Sequence, residues 1–251
     1  MDFIAVFNRE DNAVNFLGVN EYLGLGYMKS YLRSQGIEAH IHIVFSNDLD
    51  GIDGLFQEPP QIIGFNFYTD NGPNVLKAAR IIKGKFPGCH ITLGGPQTFG
   101  FADAILKDNP FIDSVILGEA EHTIHELAER VFNGQSIAGC EGAVYRNADG
   151  SITENEKRPP VQELDSLPFP DRDIFEKFRQ EYFYIAGGRG CMGFCSFCGE
   201  TAVKVGQRPP YVRNRSPKNI VDEIEFLMGK YKINSFRFTD APFEDPGEEG
   251  L

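Results

Sequence analysis

Short apolar runs alternate with longer stretches of helical periodicity through the first half of this chain, and no other feature constrains its fold as tightly. The apolar runs cover residues 3–7, 39–45, 62–68, 90–93 and 114–117. Each is too short for a helix and fits a buried strand. Helical patterns cover residues 22–34, 73–86 and 121–132. The first stops at Gly36, the second opens on Pro73 and closes at Pro87-Gly88, and the third closes at Gly134. Proline suits a first helical turn, where its missing N–H would have no partner, and glycine suits the left-handed helix end. Strands joined by helices pair in parallel, because each crossover carries the chain back to the same end of the sheet.

The expected architecture is therefore α/β: a flavodoxin-like (Rossmann-type), doubly wound parallel sheet over residues 1–135. Residues 142–146 and 151–153 flank Asn147-Ala148-Asp149-Gly150 and read as a small hairpin. A proline-rich linker follows, with Pro159-Pro160 and Leu167-Pro168-Phe169-Pro170, so residues 136–180 are assigned to hairpin and linker. A second unit is expected over 181–251. It has a strand at 182–186, the segment Gly187-Gly188-Arg189-Gly190, a helix capped by Ser216-Pro217 that runs to about Tyr231, and a strand at 236–239. The last residues, 245–251, read as a disordered tail.

Composition narrows the function. A formal net charge of −12 argues against a general nucleic-acid binder, which carries a basic face. No apolar run reaches membrane-spanning length, and residues 1–10 lack a basic segment followed by a long apolar one. The 5 cysteines are an odd number, and three of them crowd into residues 191–198, which is no disulfide framework. Free thiols fit a reducing cytoplasm. Cys89 and Cys140 read as small buried thiols. His122, His125, Glu121 and Glu126 share helical spacing and read as a solvated helix face, and Arg213 and Arg215 as exposed side chains or an anion site.

The crowded run is Cys191-Met192-Gly193-Phe194-Cys195-Ser196-Phe197-Cys198-Gly199. One loop with C-x3-C-x2-C spacing can wrap three thiolates round one inorganic core, and a cubic 4Fe-4S cluster would then keep one iron open for another ligand. Glycine lets backbone N–H groups approach the sulfurs, and Phe194 and Phe197 would shield the core from water. Zinc is the alternative, but structural zinc wants four closed ligands, and no histidine or fourth cysteine lies nearby.

Arg189-Gly190-Cys191-x-x-x-Cys195-x-Phe197-Cys198-Gly199 resembles the cluster loop of the radical S-adenosylmethionine (radical SAM) superfamily. The resemblance implies that S-adenosylmethionine chelates the open iron, and that the reduced cluster cleaves it to a 5′-deoxyadenosyl radical. Residues 211–224 and Phe238-Thr239-Asp240-Ala241-Pro242-Phe243 resemble one branch of that superfamily. Its F-x-D-D-x-F strand end has Ala241 here in place of the second Asp. Phe197, Gly199, Thr239 and Asp240 are the S-adenosylmethionine contacts this implies, at the carboxyl end of a barrel strand. For Asp240 the alternative is a cap on the neighbouring turn.

That branch carries an N-terminal cobalamin (B12) domain. Leu23-Gly24-Leu25-Gly26-Tyr27-Met28, Gly64-Phe65-Asn66-Phe67-Tyr68-Thr69, Leu93-Gly94-Gly95-Pro96 and Leu117-Gly118-Glu119-Ala120-Glu121 resemble its motifs. Tyr68, Thr69, Gly94, Gly95, Pro96, Gly118 and Glu119 are thereby implied to contact the corrin or its nucleotide tail. The D-x-H-x-x-G motif that gives many B12 enzymes an axial histidine is absent. His40, His42, His90, His122 and His125 all lie in other contexts. The stretch after Cys191 has room for the loop, one helix and one strand, whereas the family's partial barrel needs about six units of roughly 30 residues each. The resemblance thus implies a truncated cobalamin-dependent radical SAM enzyme, expected to methylate an unactivated carbon or phosphorus. Radical cyclisation or rearrangement is the alternative, as is a non-catalytic cobalamin- or cluster-binding piece of a split enzyme. The implied partners are a small-molecule or peptide substrate, an electron donor such as flavodoxin or ferredoxin, and a separate chain completing the barrel.

Overall fold

The computed structural model describes residues 1–8, 22–173, 176, 181–199 and 211–240. Ala241, Pro242, Phe243 and the expected tail lie outside the described residues. Strands β1 (Asp2–Phe7), β2 (His40–Phe45), β3 (Ile62–Asn66), β4 (His90–Gly94) and β5 (Ser114–Ile116) form one parallel sheet in the order β2-β1-β3-β4-β5. This is the doubly wound flavodoxin-like order. Hairpin strands β6 (Ala143–Arg146) and β7 (Ile152–Glu154) continue the sheet, antiparallel, beyond residue 135.

Alternation along each strand divides the core. Ile4 and Val6 of β1 face one cluster and Phe3 and Ala5 the other. The first cluster takes Val75, Ala78, Ala79 and Ile82 from α2 (Gly72–Lys85) and Leu106 from α3 (Ala102–Asp108). The second takes Leu25 and Leu32 from α1 (Leu23–Ser34), and Ile124, Leu127 and Ala128 from α4 (Glu121–Phe132). Both faces are thus covered, as near-continuous apolar strands require. Helix α3 and the 3-10 segment Ser46–Leu55 have no counterpart in the sequence reading. The helix has too few turns for a clear period, and Gly51 and Gly54 make the segment read as loop.

In the second unit, β8 (Phe183–Ile185) pairs in parallel with β11 (Phe236–Phe238) across helix α5 (Pro217–Tyr231). The Ser216 hydroxyl accepts from the Asn219 N–H at 3.1 Å, so α5 has the expected N-cap. The segment read as a glycine-rich lead-in is instead a strand, β9 (Gly188–Gly190), antiparallel to β10 (Val212–Asn214). A small core of Phe183, Ile185 and Leu227 packs on Phe7, Ile43 and Phe45 of the first sheet.

Buried charge ties the linker to both units. Arg172 and Glu223 are 1% and 0% exposed and meet at 2.7 Å, and Arg215 closes on the other Glu223 oxygen. Arg215 donates to the Ala186 carbonyl at 2.9 Å and Arg172 to that of Tyr184 at 2.6 Å. The reading of Arg215 as an exposed arginine is therefore corrected: its charge is needed to neutralise a carboxylate inside the protein. Asp171 binds Lys29 at 2.7 Å and Arg33 at 3.0 Å on α1. Gly26 allows that approach, since a Cβ there would stand 2.6 Å from the Asp171 carbonyl oxygen.

Breaking a fully buried ion pair costs about 3–5 kcal/mol, so Glu223→Gln should lower the urea unfolding free energy by about that amount. Lys218→Ala, which removes an exposed pair with Asp222, should leave the midpoint in place. A Glu223→Gln midpoint equal to that of the parent would contradict the arrangement. Cys89 and Cys140 are buried as expected, and burial pushes their thiols up to about 12 and about 11. At about pH 8 iodoacetamide should leave both unlabelled until the chain unfolds, and native-state labelling seen by peptide mass would refute that packing.

Candidate cofactor site

The carboxyl ends of β3, β4 and β5 border a cavity of about 370 Å³, with Gly94-Gly95 closing β4 and Gly118 following β5. Gly95 has φ +125, and a Cβ on it would lie 2.7 Å from the Phe67 carbonyl oxygen, so only glycine fits. At Gly64 a Cβ would meet the Phe3 ring at 2.8 Å. Phe3, Leu25, Ile116 and Ile124 supply apolar wall. Tyr22 and Tyr68 stack with ring centroids 5.5 Å apart, and burial raises both phenol pKa values. Ala186, Gly188, Arg189 and Thr239 of the second unit close the opposite side.

Three residues that line this space carry buried side-chain polar atoms short of partners. The Thr92 hydroxyl and Oε2 of Glu121 have no protein hydrogen-bond partner, and the Asn66 amide has none at ordinary hydrogen-bond geometry, the Tyr22 phenol being its polar neighbour. Asn66 is 7% exposed, Thr92 2% and Glu121 4%. Such atoms are uncommon in native proteins and mark places where something else supplies the partner. A large apolar ring carrying peripheral amides fits this donor and acceptor set, and glycine strand ends let it approach backbone.

Of the corrin contacts that the resemblance implies, Tyr68, Gly94, Gly95, Gly118 and Glu119 line the cavity. Thr69 and Pro96 are not among its lining residues; the Thr69 hydroxyl donates to Gln97 at 2.6 Å. The Glu119 carboxylate is already engaged. It forms a two-pronged pair with Arg213, lies 3.3 Å from Arg189 and accepts the Val161 N–H at 2.9 Å. Burial alone would raise its pKa, but the Arg213 hydrogen bonds and the charges of both arginines hold it below the usual carboxylate value. Two surface readings are corrected with it. Arg213 pairs with Glu119, and Glu121 is buried against Arg189 at 2.6 Å, because the second unit covers this corner of the sheet.

Thr239 reaches the cavity wall, while Asp240 accepts the backbone N–H groups of Gly187, at 3.0 Å, and Gly188. Asp240 is thus a cap, on the turn that follows β8, whereas the next turn after Asp240 lies outside the described residues. Gly190 runs directly into Cys191. The Cys191 sulfur accepts the Gly193 N–H at 3.3 Å, and a Cβ on Gly193 would stand 3.6 Å from it and 3.5 Å from the Cys195 sulfur. These two thiols therefore flank one glycine, with Cys198 half-buried and Gly199 exposed at the loop end. Phe197 is 91% exposed and Phe194 62%, so neither ring shields the sulfurs in this arrangement. The loop offers them no covered surface, and Phe194 leans edge-on against Tyr211 at 5.3 Å. Among the described residues, no three His, Cys, Asp or Glu side chains converge as ligands of a single metal ion. No described helix is long and apolar enough to cross a membrane.

Neither Asn66 nor Thr92 is among the contacts the sequence implies, and Glu121 reads there as part of a solvated helix face. Asn66 did leave a signal, a polar residue inside a fully buried apolar run.

Comparison with known proteins places this geometry. Residues 10–128 match the B12 binding domain model. An uncharacterized methyltransferase of Pyrococcus horikoshii is 26% identical over 239 residues, covering 88% of this chain and 49% of its own length. The anaerobic magnesium-protoporphyrin IX monomethyl ester cyclase of Rubrivivax gelatinosus is 30% identical over 235 residues, 86% of this chain and 40% of its own. The chain thus spans about half, or less, of these curated relatives. The structure of TsrM from Kitasatospora setae, a radical S-adenosylmethionine methyltransferase with cobalamin and a 4Fe-4S cluster bound, superposes with TM-score 0.70 at 17% identity. The match covers 96% of this chain and 49% of that one, and the likeness is one of fold. Residues 10–128 thus match a B12-binding domain, and over most of its length the chain is similar in sequence to a curated methyltransferase and a curated cyclase and shares its fold with a cobalamin-bound radical S-adenosylmethionine methyltransferase.

Proposed function

We propose that this chain holds cobalamin in the cavity at the sheet edge and a 4Fe-4S cluster on Cys191, Cys195 and Cys198. It would do so as part of a radical SAM methyltransferase acting on an unactivated carbon or phosphorus. The observation that carries the reading is one cavity whose lining includes Asn66, Thr92 and Glu121, each with a buried side-chain polar atom lacking a close protein partner, and whose far wall leads to the cysteine loop. When bound, the cluster with S-adenosylmethionine supplies a carbon-centred radical by one-electron cleavage, and the corrin supplies a methyl carrier.

The chain's own residues bind and orient. Gly64, Gly94 and Gly95 keep side chains out of the space, while Asn66 and Thr92 supply hydrogen bonds from the strand ends. Glu121, fixed through its other oxygen to Arg189, presents an acceptor to an amide N–H. Thr239 stands at the same wall and is the residue placed to meet S-adenosylmethionine. Gly193 donates its N–H to the Cys191 sulfur and so helps to orient it. An electron donor such as flavodoxin or ferredoxin, the substrate, and whatever completes the barrel belong to the same proposal. Radical cyclisation is the second reading, and the cyclase name of the Rubrivivax relative favours it.

Anaerobic reconstitution with iron, sulfide and hydroxocobalamin tests this. About four irons per chain should be taken up, and Cys195→Ala should lose them while corrin binding persists. Retention of the cluster in that variant would sink the assignment. Asn66→Leu should weaken corrin binding on the order of tenfold or more, yet raise the stability of the corrin-free protein, because an unpaired buried amide is removed. Unchanged corrin affinity in Asn66→Leu would sink the cavity as its site.

A further inference from the structure

Strand β9 is Gly188-Arg189-Gly190, so Arg189 is the only side chain it owns. Its glycines are obligatory. A Cβ on Gly188 would lie 2.9 Å from the Arg213 carbonyl oxygen, and one on Gly190 would run into the Tyr211 carbonyl oxygen. The ribbon of β9 and β10 is therefore closely apposed but has no apolar face of its own. Three-residue strands in a lone pair are not stable in water. The register makes matters worse, since Arg189 lies directly opposite Arg213. Like charges in that relation repel.

Two carboxylates from the first unit resolve this. Glu119 receives both nitrogens of the Arg213 fork and contacts Arg189, while Glu121 takes the other Arg189 nitrogen. Beneath, the Tyr27 ring lies 5.0 Å from the Arg189 guanidinium carbon. The four charges cancel, and the Arg213 side chain is only 9% exposed. Both glutamates sit where β5 gives way to α4, on the rim of the cavity, and Cys191 is the residue after the ribbon's last glycine.

We propose that Glu119 and Glu121 are positioning residues that clamp the β9–β10 ribbon to the cavity rim and so fix the base of the cysteine loop against it. Oε2 of the Glu119 carboxylate is used by Arg213, Arg189 and the Val161 N–H, and Oε1 takes the second Arg213 nitrogen, so both oxygens are already engaged within the protein. The separation between whatever the cavity holds and whatever the thiols hold is then set by an ion-pair quartet rather than by the sheet. This rests on the proposed function for its purpose, but not for its geometry.

Hydrogen exchange of the full chain, free of cofactors, tests the clamp. In Glu119→Gln the amides of residues 188–190 and 212–214 should exchange on the order of a hundredfold faster, with β1 to β5 unchanged, and Glu119→Asp should restore most of the protection. In the reconstituted protein reduced to cob(II)alamin, Glu119→Gln should keep corrin and iron stoichiometry but alter the magnetic interaction between the two centres. Unchanged ribbon exchange in Glu119→Gln overturns the clamp, as does faster exchange throughout the sheet. Loss of corrin uptake without ribbon loosening would overturn it in favour of a ligand contact. Failure of the parent protein to bind a cluster would sink the proposed function alone, because the exchange result decides the clamp without it.

Discussion

The buried carboxylate of Glu223, held between Arg172 and Arg215, is what the relation of the two units depends on. A charge with no exposure survives only if it is paired and its remaining valences are satisfied. Here the two arginines come from different segments, the linker and the start of α5, and both also donate to carbonyls of the β8 region. One interaction therefore fixes linker, strand and helix together. Hydrophobic contact at the same junction is small, since the local core has three fully buried residues, and apolar burial alone specifies direction poorly. The charged group supplies the orientation that the small core does not.

Once β8 is fixed, the cavity follows. At the carboxyl edge of the first sheet Gly94, Gly95 and Gly118 keep side chains out of the cavity, and the second unit closes it with Ala186, Gly188, Arg189 and Thr239. Asp240 and Glu119 then act from opposite sides on the same ribbon. One caps the backbone of Gly187 and Gly188, and the other neutralises the two arginines. The residues that look most like ligand contacts in a linear reading are partly occupied in building the wall.

Much of the fold was legible. The five parallel strands and their long helices appear where apolar period and proline or glycine punctuation put them, and the Ser216-Pro217 cap begins α5 as expected. What escaped was what local pattern does not encode. Helix α3 is too short to show a period, and β9 has no apolar residue to mark it as a strand. Glu121, Arg213 and Arg215 carry the sequence marks of solvated side chains. Glu121 and Arg213 find their partners 68 and 94 residues away, which no window along the chain contains, while Arg215 meets Glu223 eight residues on, where the spacing gives no sign that both are buried. In the site, glycines at strand ends were readable because their reason is local. The unpartnered Asn66, Thr92 and Glu121 atoms were not, since a missing partner is visible only in three dimensions.

Those unpartnered atoms also bear on how the protein behaves as a population. An unpaired buried polar group holds stability back by about 1–3 kcal/mol, and three of them share one cavity. A ligand that satisfies them binds the folded chain and not the unfolded one, so its free concentration enters the folding equilibrium directly. The empty chain would spend more time open and exposed to proteases than the loaded one. Supply of the ligand would then govern how much of the protein accumulates as well as how much of it works.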